Sequence, residues 1–248
     1  MSTFVRGEDL TLPTPAVAAR IGRWIAPSLA MLAATAFALG IATPPRSGPF
    51  CVGKCIVYPY TDVVQFLPRD YLWVIPGTLL LPLFVVLAGC IHARVGFNRR
   101  ILSLLGLCFA SIAAGIITLD YFTQLQVVAP SLLRGEINGL ALFTQYNPHG
   151  FFIALEDLGY LTLSVSFLFV GAAFGKATRL ERAIRRTLLG AALLAVACFA
   201  GLSWHFGFDL EYRFEVAIIT ITWTTFVASG VLLTFFFRRL GRANSPVL

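Results

Sequence analysis

The chain has 248 residues, of which 58% are apolar and only 12% charged, with a formal net charge of +7. These proportions lie far from those of a water-soluble domain and exclude one here. The positive charge does not call for nucleic acid, because the basic residues sit at the ends of apolar stretches, where they anchor a membrane protein.

About 20 apolar residues are needed to cross the hydrocarbon core as a helix. Six stretches meet that need, at about 24–43, 71–92, 101–121, 151–175, 187–206 and 214–237. The first ends at Pro44 and Pro45 and is longer than a usual signal core, so an uncleaved helix is expected. The second contains Pro76 and Pro82. Trp24, Trp73 and Trp204 stand at span ends, where interfacial aromatics belong. The expectation is an all-α, polytopic six-helix bundle forming a single integral membrane domain over 1–248.

Charge sorts between the spans. Fourteen of 19 basic residues fall on one side: Arg6, Arg20, Arg23, Arg94, Arg99, Arg100, Lys176, Arg179, Arg182, Arg185, Arg186, Arg238, Arg239 and Arg242. The other side keeps Arg46, Lys54, Arg69, Arg134 and Arg213. Short loops rich in Lys and Arg stay cytoplasmic, so both termini are expected inside. Of 12 acids only Glu8, Asp9 and Glu181 join that side. Seventeen Arg against two Lys, with much Ala and Gly, suits a GC-rich bacterial genome and hence a bacterial inner membrane.

Two outer loops follow from the spans. The first, about 44–70, carries Cys51 and Cys55 as CVGKC. On an oxidising side these favour a disulfide that shapes the turn; free thiols or a weak metal site are the alternatives. Cys90, Cys108 and Cys198 read as small apolar fillers within spans. The second loop, about 122–150, is too apolar for a linker. Pro130 and Ser131 suit a helix start, and Gly135 or Gly139 a stop. A short amphipathic or re-entrant helix is expected, packed over the bundle or lying on the membrane surface.

The polar residues inside the spans carry the functional expectation. Intramembrane charges are costly and face the bundle interior. Glu156, Tyr160, Ser164 and Gly171 recur on one helical face, with Asp157 beside it. Glu156 and Asp157 lie five or six residues into their span, roughly 8 Å below its boundary at 1.5 Å per residue. Glu215, Thr222, Thr225 and Ser229 form a second stripe, and Asp120 and Gln124 a third. The second loop adds Glu136, Asn138, Gln145, Asn147 and His149. These predict an outer acidic and polar pocket. Asp120, Glu156, Asp157 and Glu215 would hold charge or protons there. Gln124, Gln145, Asn147, His149 and Tyr160 would orient the ligand.

The competing explanation is that polar stripes merely join helices. A nitrogen-and-oxygen metal site from His149, Glu156, Asp157 and Asp120 matches no zinc spacing. No cofactor is expected: no two histidines face each other at one depth for haem. Neither Lys54 nor Lys176 lies within a span, so a retinal Schiff base is excluded. There is no GxSxG. The leading expectation is binding or transport of a small cationic solute, a proton or a lipid. A membrane-embedded enzyme using His149, Glu156 or Asp157, and a structural or assembly subunit, are the alternatives.

Overall fold

The structure, a computed structural model, describes residues 15–243; Arg6, Glu8 and Asp9, expected on the basic side, lie outside them. Six helices long and apolar enough to cross a membrane make an all-α bundle and fit a multi-pass membrane protein. They are α1 (Pro15–Ala42), α2 (Val74–His92), α3 (Arg100–Thr123), α5 (Phe151–Ala173), α6 (Arg179–Phe206) and α7 (Tyr212–Ala243). A short α4 (Ala129–Arg134) lies between α3 and α5.

At the basic end of the bundle α1, α6 and α7 extend past the apolar windows. There α6 starts at Arg179 rather than near 187, because a capping box holds its first turn: Thr178 accepts from the Glu181 amide and Glu181 returns the bond. Apolarity marks where a helix meets lipid, whereas capping marks where it begins.

Each spanning helix packs on the next in the order α1, α2, α3, α5, α6 and α7, and α7 returns to α1. Since α5 also meets α7, α6 lies outside that junction. It exposes Leu193, Leu194, Val196 and Phe199, the face that lipid covers. At the centre Phe84 of α2, Phe167 of α5 and Phe226 of α7 form an aromatic triad, with ring centroids 5.3 to 5.6 Å apart. Small residues bring helices close elsewhere. A Cβ on Gly230 would stand 2.8 Å from the Ala26 carbonyl, so α7 and α1 touch backbone to backbone.

At the opposite end, which carries both long loops, α3 does not stop near Tyr121. It runs through a π-helical stretch (Gln124–Val128) directly into α4, which Gly135 closes at φ 73°. Such a stretch shifts the helix face and turns Gln124 and Val128 inward. Val128 and Leu132 then join Val63, Tyr71 and Tyr146 in a second small core. Cys51 and Cys55 are disulfide-bonded in the first loop. Trp24 and Trp204 are exposed, but Trp73 is only 8% exposed. It packs on Tyr121, Phe152 and Trp223 instead of lying at the interface.

Candidate functional site

Beneath the loop end, two polar layers lie one above the other. The upper layer is a cap. Arg46 grips Asp70 with two bonds, Nε to Oδ2 at 2.9 Å and Nη2 to Oδ1 at 3.2 Å, while its guanidinium lies 3.9 Å from the Phe66 ring centre. Tyr146 also donates to Asp70 Oδ2. Burial above all, with Tyr71 and Asp70 next to it, pushes the Tyr146 phenol above its ordinary range, so it stays a donor. Gln145 donates to the Asp70 carbonyl, and Ser47 to the Tyr146 carbonyl at 2.6 Å. Tyr212 of α7 donates to the Gln145 carbonyl. These bonds tie both loops to the start of α7.

The lower layer is acidic. Glu156 is 0% and Asp120 2% exposed, while Asp157 and Glu215 are half-buried. Glu215 is the acidic neighbour common to the other three. One atom on each of those three, Asp120 Oδ2, Glu156 Oε2 and Asp157 Oδ1, is buried without a hydrogen-bond partner. None of the four acids makes an ion pair with a base among the described residues.

A hydrogen-bonded chain ends on this cluster. Trp223 Nε1 donates to Tyr160 Oη at 2.9 Å, Tyr160 and Tyr121 are 2.8 Å apart, and Tyr121 donates to Glu156 Oε1. An indole N–H can only donate, and each phenol has one proton. The chain therefore runs in one direction, from Trp223 through Tyr160 and Tyr121 to Glu156.

Between the loop-end halves of α1 and α7 opens a cleft of about 260 Å³. The cap roofs it with Arg46, Asp70, Gln145 and Tyr146. Phe37, Trp73 and Trp223 form its aromatic back, and Glu215 stands in its wall. Ile41 and Val216 flank it and are exposed, so it opens sideways between the two helices.

The residues expected to form one pocket divide among several roles. Asp120, Glu156, Asp157, Tyr160 and Glu215 come together. Gln124 instead binds the second loop, donating to the Phe143 carbonyl at 2.6 Å and accepting from the Gln145 amide. Asn147 shapes that loop by donating to the Ala141 carbonyl and accepting from the His149 amide. His149 pairs outside the acid cluster. It is exposed and pairs with Asp209 at 3.0 Å, near Glu211, which Arg213 holds. The polar stripes are only partly self-satisfied: Ser164 and Thr225 donate to carbonyls four residues back, whereas the Thr222 and Ser229 hydroxyls are buried without a partner among the described residues. Ser166 bonds across to Gly106 of α3 at 2.7 Å.

Sequence reading did not find Arg46, Asp70, Tyr121 or Trp223. Tyr121 follows Asp120 directly and lies in a span, and a phenol at that depth needs a partner; this was the available signal. Arg46 and Asp70 are 24 residues apart in a loop, with no periodicity to link them. Comparison of the chain with protein-family models, with curated proteins and with solved structures gave no match.

Proposed function

We propose that the protein binds, and by exchange transports, a small solute or lipid that carries a positive charge on an apolar body. The observation behind this reading is Glu215. It stands in the wall of a laterally open aromatic cleft, backed by three further acids and by no paired base. Carboxyl groups removed from water need protons or a cation. Aromatic faces beside an acid suit a cationic head group, and the side opening suits a ligand drawn from the bilayer. A ligand cation arriving at Glu215 would displace protons held by the cluster. In this reading the basic end faces the cytoplasm of a bacterial cell and the cleft faces outward, as the asymmetry of Lys and Arg favours.

The test uses tetraphenylphosphonium, a cation with an apolar body, on the purified protein in detergent. Saturable binding with release of protons into a weak buffer is expected. Glu215→Gln should weaken binding about tenfold or more, the loss of about 1.4 kcal/mol, with little change in melting temperature. Absence of saturable binding, or equal binding by the variant, would overturn the proposal.

A further inference from the structure

The basic end carries a second cleft, of about 580 Å³, between the α2–α3 and α5–α6 connections. Arg94, Arg99 and Lys176 line it, and its apolar floor includes Phe174 and Phe236. Other basic residues nearby have structural employment. Arg185 donates to the Ala172 and Phe174 carbonyls and so closes the end of α5, and Arg182 donates to the Lys176 carbonyl. By contrast, Arg94, Arg99 and Lys176 form no ion pair among the described residues. The one acid in the lining, Glu181, accepts from the Ala177 and Thr178 amides through Oε2, so three cations face one carboxylate across the cleft.

We infer that this cleft binds a phosphate-bearing anion, and that its principal occupant is the head group of an acidic phospholipid. Three cations against one acid leave this concave site with a positive excess that suits a ligand of concentrated negative charge, and guanidinium groups match phosphate oxygens in pairs. The cleft lies at the ends of spans, the level of lipid head groups, where basic pockets between helices attract acidic lipids. Phe97 stands at its rim, 89% exposed, placed to enter the acyl boundary. The apolar floor favours a lipid over a free ion. The site is separate from the acidic cleft and does not depend on how that cleft is used.

The experiment counts lipid on purified protein. Nanodiscs of phosphatidylglycerol or phosphatidylcholine are dissolved in detergent, and retained phospholipid is read by native mass spectrometry. Phosphatidylglycerol should remain bound and phosphatidylcholine should not. Arg94→Gln with Arg99→Gln should weaken retention roughly thirtyfold. Arg238→Gln with Arg239→Gln, the same charge removed from the same end outside the cleft, should leave it unchanged. Arg94→Lys with Arg99→Lys keeps the charge but loses the paired donors, so it should retain more lipid than the Gln pair and less than the native protein, and show that the fold tolerates change there. Displacement of the lipid by excess inorganic phosphate would support the shared chemistry and assign the site to free anions as well. Equal retention of both lipids, or equal loss in both Gln pairs, would overturn the inference.

Discussion

Tyr121 belongs to two environments at once. Its ring packs edge-on to Trp73 and stacks on Phe152, with centroids 5.4 and 5.9 Å away. Its hydroxyl joins Tyr160 to Glu156. Tyr121→Phe should keep the packing and leave Glu156 without its donor. A loss of about 1–3 kcal/mol follows from a buried acceptor left unpaired, read as a lower melting temperature. Proton release on binding tetraphenylphosphonium should fall as well, since Glu156 loses the donor that stabilises its ionised form. In the cap, Tyr146 makes a different prediction. Its folded phenol titrates above the ordinary value of about 10. Its contribution to stability is therefore complete below about pH 10 and is lost as pH rises further. Tyr146→Phe should make the alkaline fall in melting temperature shallower.

At the scale of elements, the seam between α1 and α7 depends on close approach. Gly230 faces Ala26 and Ala30, and added atoms there meet backbone, which cannot rotate away. Gly230→Leu should push the two helices apart and abolish a monodisperse peak in size-exclusion chromatography. Gly190→Leu, on α6 with nothing within 4 Å, should be tolerated. The spans were legible because lipid imposes a long apolar window on any helix that crosses it. The acid cluster was partly legible because an intramembrane carboxylate has few other places to go. Other features were hidden for physical reasons. A tryptophan at a span end reads the same whether it faces head groups or, like Trp73, folds back over the core. His149 precedes Glu156 by seven residues, yet it lies on the loop side of Gly150, where α5 starts, and its side chain follows the loop. Nothing local in the sequence shows that α3 continues through a π-helical stretch into α4.

For the whole molecule, the alternation of the six helices places Arg94, Arg99, Arg100, Lys176, Arg179, Arg182, Arg185, Arg186, Arg238 and Arg239 at one end. If this end is cytoplasmic, a cysteine introduced at Arg182 should resist an impermeant thiol reagent in intact cells. One at Val52, in the loop at the other end, should react. The background should have every native cysteine replaced, since Cys108 is exposed. Ready labelling at 182 would reverse the orientation.

The closed ring has a consequence for synthesis. The first spanning helix neighbours the last, so the α1–α7 seam joins segments that leave the ribosome far apart in time. Until α7 arrives, α1 lacks its partner, the cleft has one wall, and Asp120, Glu156 and Asp157 await the neighbour that faces all three. A nascent chain ending after α6 therefore leaves these acids uncovered on the side that α7 will occupy, and the bundle closes only with its last span.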